Sequence, residues 1–214
     1  MQSNSTTSGQ HFFSRIGNVA LTKGDLVWST SDWSDEFKVE YDVIVTEDLP
    51  PNWKNLFLVT TGEEGSHILV VYVNPDKYFI ICYPVNGNTA SCQNYYYELN
   101  KEYHFEISQN KNSNGEAIYN IKVNGKTFHE IVNTTPLKFQ NVVLYLSNPW
   151  HETLAPFGKL SNLKIIADLT VLGKFIFNCT SITGIHLLIY KSTSVEISNL
   201  ILRPRPSNPN KCYF

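Results

Sequence analysis

The chain has little charge. Asp, Glu, Lys and Arg together make up 17% of its 214 residues, against about a quarter in ordinary soluble domains. Its formal net charge of −2 provides no long-range field toward a polyanion, so nucleic acid is excluded as an expected partner. The only local basic group is Arg203 and Arg205, inside an Arg-Pro-Arg-Pro run that reads as a stiff tail. Long apolar runs are also missing: none reaches the roughly 18 residues of a helical membrane span, and no membrane span is expected. The first ten residues, MQSNSTTSGQ, are polar, with no signal-peptide core. Met1 is the only methionine. The six histidines, at 11, 67, 104, 129, 151 and 186, have no His-x-His or His-x-x-x-His spacing, so no zinc site is expected. No nucleophile elbow or phosphate loop occurs. No cofactor is expected, calcium being the one ion left open. Its oxygen ligands could come from backbone and scattered Asp, Asn and Glu, with Asp48 and Asp76 placed in loops.

Hydrophobic residues make up 42% of the chain, enough for a real core, and Asn, Ser, Thr and Tyr supply most of the polar surface. That balance suits an extracellular β-protein. Asn4, Asn133 and Asn178 each head an Asn-x-Ser/Thr glycosylation triplet, and the cysteines are even in number. The expectation is a mature secreted glycoprotein whose leader is absent, with Met1 as an expression start. A cytosolic chain with chance triplets is the competing reading. Four cysteines allow three connectivities. The preferred one pairs Cys82 with Cys92 around Asn86-Gly87, and Cys179 with Cys212 to pin the C-terminal tail. Four buried thiols are the alternative.

Strand patterns dominate. In FKVEYDVIV, residues 37, 39, 41, 43 and 45 are apolar and Lys38, Glu40 and Asp42 are charged, the period of two that marks a half-buried strand. Further extended runs are predicted over 56–61, 67–73, 78–83, 103–108, 117–123, 142–146 and 160–166, with two more over 186–190 and 195–202. Asn124-Gly125 is a strong hairpin signal, and Asn86-Gly87 and Asn114-Gly115 mark other turns. The stretch from Gln109 to Gly115 reads as a loop. No helical period is present, and many short strands with turn signals predict a sandwich or barrel. A short echo links Ser161-Asn162-Leu163-Lys164-Ile165 with Ser198-Asn199-Leu200-Ile201-Leu202.

The stretch IGNVALTKGDLVWSTSDWSDEFKVEYDVIVTEDLPPNWKNLFLVTTG resembles the opening of concanavalin A-like, laminin-G-like sandwich domains of marine-invertebrate extracellular proteins. YHFEISQ and YNIKVNGKTFHEIVN continue the likeness. Tyr145, Ser147, Pro149, Trp150, Ala155, Gly158, Asn162, Leu163 and Ile165 match its closing pattern. The resemblance covers about residues 12–168. It implies an antiparallel jelly-roll β-sandwich of the concanavalin A-like lectin/glucanase type, an extracellular setting, and carbohydrate or matrix binding. The chain departs from the pattern after Thr-Thr-Gly, where it reads Gly65-Ser66-His67 in place of a charged loop. The expected organisation is a flexible tail over 1–11, the sandwich over 12–168 and a β extension packed on it over 169–214.

For function, a Trp beside His and Glu in a Pro- and Gly-punctuated loop is a candidate ligand platform: Asn148, Trp150, His151 and Glu152. Tyr95 and Tyr97, within Tyr95-Tyr96-Tyr97, form a second candidate contact patch, since tyrosine-rich surfaces suit glycan or protein contact. Core or edge packing is the competing reading for Trp150 and for the tyrosines. Glu40 and Asp42 share a strand face and begin a Glu-x-Asp-x-x-Glu glycosidase pattern, but the third acid is missing. Galectin-type His-x-Asn-x-Arg and Trp-x-x-Glu-x-Arg strands are also missing. The expectation is therefore a non-enzymatic, lectin-like module that binds glycans or extracellular proteins. The alternatives are an adhesive matrix module that self-associates as a homo-oligomer through an edge strand, and a glycoside hydrolase.

Overall fold

A computed structural model describes residues 12–168. The expectations placed on Asn4, Asn178, Cys179, Cys212, the tail over 1–11 and the late strands over 186–202 lie outside these residues.

Among the described residues thirteen strands follow one another: β1 (Phe12–Val19), β2 (Asp25–Trp33), β3 (Phe37–Val45), β4 (Lys54–Thr60), β5 (His67–Val73), β6 (Tyr78–Cys82), β7 (Cys92–Tyr96), β8 (Glu102–Lys111), β9 (Ala117–Val123), β10 (Lys126–Asn133), β11 (Phe139–Leu146), β12 (Glu152–Thr153) and β13 (Gly158–Ile166). They form two antiparallel sheets, a jelly-roll β-sandwich. The six-stranded sheet runs β1-β13-β3-β8-β9-β10, and the seven-stranded sheet runs β2-β11-β4-β5-β6-β7. The short β12 is the exception, pairing parallel with the start of β4.

The alternation read in β3 is physical: Phe37, Val39, Tyr41, Val43 and Val45 are all buried between the sheets. Aromatic rings fill the interior. Tyr41 stacks on Phe105 at 5.2 Å, and Tyr83 on Tyr119 at 5.0 Å. The two-residue turns work as their residues demand. Asn124 and Gly125 have φ of 51° and 76°, and Asn86 and Gly87 have 53° and 76°, the left-handed pair of a tight hairpin turn. The second of these turns sits in the loop closed by the Cys82–Cys92 disulfide, as the sequence suggested.

The stretch read as a loop from Gln109 is corrected in part. Gln109, Asn110 and Lys111 continue β8, because the Gln109 side chain finds partners inside the sandwich. Its Nε2 donates to the Asp35 carbonyl at 2.7 Å, and its Oε1 accepts from Asn133 Nδ2 at 2.7 Å. The loop proper starts at Asn112.

The same network corrects Asn133 as a glycosylation site. Asn133 is 2% exposed. Its Nδ2, the atom that would carry the glycan, donates to Gln109 and to the Pro84 carbonyl. Its Oδ1 accepts from the Asn86 backbone at 2.9 Å. A sequence triplet reports only residue types, and here tertiary packing has taken the amide.

Candidate functional site

β4 and β5 read KNLFLVT and HILVVYV, with almost no polar alternation. Such strands are buried on both faces. One face of each meets the main core. The other, continued by β6, carries Leu58, Val70, Tyr72, Ile80 and Cys82, a separate apolar cluster on the outer face of the seven-stranded sheet. Trp150 and Tyr145 cover it.

The covering loop begins at the end of β11. Ser147 takes φ of 72° and turns the chain back across β4. Asn55, fully buried in β4, then ties the loop to the sheet through the two ends of its amide. Its Oδ1 accepts from the Asn148 backbone at 2.7 Å, and its Nδ2 donates to the Val71 carbonyl at 3.1 Å and the Phe57 carbonyl at 3.3 Å. Asn148 passes the order on, its Oδ1 accepting from the Trp150 backbone at 2.8 Å. Glu152 then pairs with the buried Lys54, whose ammonium also lies 5.4 Å from the centre of the Phe157 ring. That pairing holds the Glu152 carboxyl below its ordinary range.

The turn between β4 and β5 stands opposite. Gly62 and Gly65 have φ of 101° and 82°, which side-chain-bearing residues rarely adopt. The Ser66 hydroxyl lies 2.8 Å from Thr60 Oγ1 and donates to the Glu63 carbonyl at 2.7 Å, closing the turn on itself. Between this turn and the Trp150 loop lies a recess of about 150 Å³, lined by Leu58, Thr60, Glu63, Glu64, Gly65, His67, Asn148, Trp150 and His151. Burial first, and the neighbouring His151 second, push the His67 imidazole below its usual range, so it is neutral at neutral pH. A row of rings leads away from the recess. The His151 ring meets Tyr72 edge-on at 5.5 Å, and Trp53, 52% exposed, lies 5.9 Å from Tyr72.

The residues expected at the site divide clearly. Trp150 and His151 line the recess. Glu152 lies in the same loop but is turned to Lys54. Asn148 also lines it, yet it is buried and committed to the loop's own hydrogen bonds, so its main work is to position Trp150. The tyrosine patch is corrected. Tyr97 is 1% exposed and packs on Phe79 at 4.8 Å inside the core. Tyr95 is half-buried against Tyr103, Phe105 and Phe128. The exposed ring is Tyr96, at 56%. None of the three tyrosines lines the recess. Trp53, Thr60, Glu63, Glu64, His67 and Tyr72 were not singled out for contact from the sequence. The missed signal was the apolar run of β4 and β5, which requires something to cover their second face.

Glu40 and Asp42 share the outer face of the other sheet. Burial pulls Glu40 upward, but Lys38 at 2.7 Å and Lys164 at 3.2 Å outweigh it and hold its carboxyl low. Asp42 is bonded to His104 and Asn162, each at 2.6 Å. The face is a lattice of ion pairs continued by Glu106 with Lys38 and Lys122. A general acid needs a raised carboxyl pKa, and Glu40 is shifted the opposite way. Among the described residues, no group of three or more His, Cys, Asp or Glu is arranged to hold a metal ion. Of the two loop acids considered for calcium, Asp48 meets Lys77 at 3.2 Å.

No family model matches the chain, and no curated protein sequence does. Solved structures do. The receptor binding domain of botulinum neurotoxin D superposes with a TM-score of 0.50 at 12% identity, over 73% of this chain and 44% of that one. The CBM40 of a Ruminococcus gnavus IT-sialidase, bound to alpha2,3 sialyllactose, gives 0.49 at 11% identity, over 75% and 94%. Trypanosoma rangeli sialidase gives 0.44 at 15%, over 62% of this chain, which spans only a fifth of that enzyme. At 12% identity what the chain shares with the first of these is the fold alone, and the two antiparallel sheets are the sandwich architecture the sequence resemblance implied.

Proposed function

We propose that this chain is a non-catalytic recognition module that binds glycans in the recess beneath Trp150. One observation carries the reading: an indole, two imidazoles and two glutamates line a recess of about 150 Å³ on the outer face of the seven-stranded sheet. Sugar rings present apolar C–H faces for stacking and hydroxyls for hydrogen bonds, and sites that mix an apolar platform with a few polar groups suit them. The ring of Trp150 supplies the platform. His67, His151 and the carboxylates of Glu63 and Glu64 supply donors and acceptors. The Cys82–Cys92 disulfide favours an oxidising, extracellular setting. The concanavalin A-like kinship of the sequence supports the same reading, and the fold it shares with a receptor-binding domain is compatible with it. No cofactor is invoked.

The test is a broad glycan array probed with and without calcium, using the wild-type chain and Trp150→Ala. Trp150 covers the outer apolar cluster and lies outside the main core, so the variant should stay folded and lose its glycan signal. A blank array for the folded wild-type chain would overturn the reading. A second reading rests on β10, an edge strand of the six-stranded sheet among the described residues, which exposes Phe128, Ile131 and Val132. Unpaired apolar edges favour strand addition, and self-association there would give a concentration-dependent sedimentation coefficient. A concentration-independent monomer would remove it.

A further inference from the structure

Tyr72 and Trp53 connect to the recess through His151, one of its lining residues. The rings of His151, Tyr72 and Trp53 follow one another at centroid spacings of 5.5 and 5.9 Å, and each step is about as wide as one sugar ring. Tyr72 is buried and in contact with both other rings, its hydroxyl bonded to the Asn148 side chain, so it serves as the floor. Trp53 is different. It follows Pro50, Pro51 and Asn52, precedes β4, and stands about half exposed beside this floor. An indole placed there costs apolar exposure and adds little to the core, whereas aromatic rings in a row give a chain of sugars successive stacking faces.

The charge around the recess narrows the ligand further. Its lining holds the carboxylates of Glu63 and Glu64 and no lysine or arginine. Lys54 is buried and already paired with Glu152, and the field of Lys23 falls on that same carboxylate. Burial holds His67 neutral, and the lining places no lysine or arginine against the two glutamates. An anionic sugar would meet like charge within a screening length and find no partner.

We propose that the recess and Trp53 form two contiguous subsites for an uncharged oligosaccharide, one sugar beneath Trp150 and the next against Trp53, and that sialylated chains are rejected. This rests on the glycan reading above and adds to it a length and a charge.

The experiment is isothermal titration of the full chain with short ladders. These are glucose to cellotriose, N-acetylglucosamine to chitotriose, and galactose to lactose, together with α2,3-sialyllactose as the charged counterpart of lactose. In the ladder that binds, affinity should rise about tenfold from one sugar to two, the gain expected from one added aromatic stacking contact of about 1.4 kcal/mol. Trp53→Ala should abolish that step while leaving the single sugar within twofold. Trp53→Tyr, which keeps a ring, should restore much of it and shows that the loss is not misfolding. Sialyllactose should bind at least tenfold more weakly than lactose. A single sugar bound as tightly as its dimer, an unchanged step in Trp53→Ala, or tighter binding of sialyllactose would each overturn the proposal while leaving the glycan reading in place. No heat with any ladder would overturn both.

Discussion

Asn55 is the residue on which the recess depends most, and Asn55→Ala is the sharpest test of that reasoning. The side chain is fully buried and makes three hydrogen bonds to backbone groups: the Asn148 N–H at 2.7 Å, and the Val71 and Phe57 carbonyls at 3.1 and 3.3 Å. Truncation removes all three. A net loss of about 1 kcal/mol each is the ordinary figure, and a buried group left without a partner costs about 1–3 kcal/mol. Asn148 N–H is the group most exposed to this penalty, because its residue is buried and its loop lies across β4. The sum is roughly 3–5 kcal/mol, a large part of the 5–15 kcal/mol that typically holds a domain together. Urea unfolding followed by tryptophan fluorescence reads it directly. The midpoint should fall sharply with the slope unchanged, and glycan binding should weaken further than global stability predicts because the Trp150 loop loses its anchor. Asn55→Asp refines the test. It keeps the acceptor for Asn148 but turns a carboxylate toward two carbonyls, so it should be at least as damaging at neutral pH and partly recover when acidified. A loss below about 1 kcal/mol in Asn55→Ala would refute the claim that this amide organises the site.

Expression in a glycosylating host, followed by peptide mass spectrometry, should find Asn133 unmodified in folded protein, since its Nδ2 is buried and bonded to Gln109; full occupancy would contradict the packing. His67 has a folded pKa below that of the unfolded chain, so the unfolded state takes the proton first on acidification. Its contribution to stability is complete above about pH 6.5 and is lost as pH falls toward the lowered folded value. Urea midpoints measured across that window should fall less steeply for His67→Gln than for wild type, and parallel curves would refute the assignment. At Gly158, a Cβ would lie 2.6 Å from the Ile44 carbonyl oxygen and 2.9 Å from Leu154 Cδ2. Gly158→Ala should therefore cost about 1–3 kcal/mol by overpacking, read as a lowered melting temperature; an unchanged one would show that β13 and β3 part there without penalty.

Much of the architecture was present in the linear chain. Phe37–Val45 declared its faces by alternation, because a half-buried strand must place every second residue against the core. His67–Val73 and Ala117–Val123 were bounded correctly by their β-branched and aromatic content, and Asn-Gly pairs marked both tight turns because few other residues adopt two successive positive φ values. Trp150 and His151 stood out as an aromatic pair in a loop. Local pattern could not report what lies opposite a residue. Tyr95, Tyr96 and Tyr97 are chemically identical on paper, and only the position of β7 beside the core made Tyr97 interior and Tyr96 the exposed ring. Asn133 had a glycosylation triplet, and only a glutamine 24 residues earlier in the chain took its amide. Glu40 and Asp42 shared a face as expected, but the lysines of β3 and β13 decided that Glu40 would be an ion-pair partner. The recess itself joins residues 58–67 to residues 148–151 across a sheet. Strand periods and turn chemistry are short-range properties that a sequence carries by itself, whereas burial, pairing and the meeting of two distant loops arise only when the sheets are assembled.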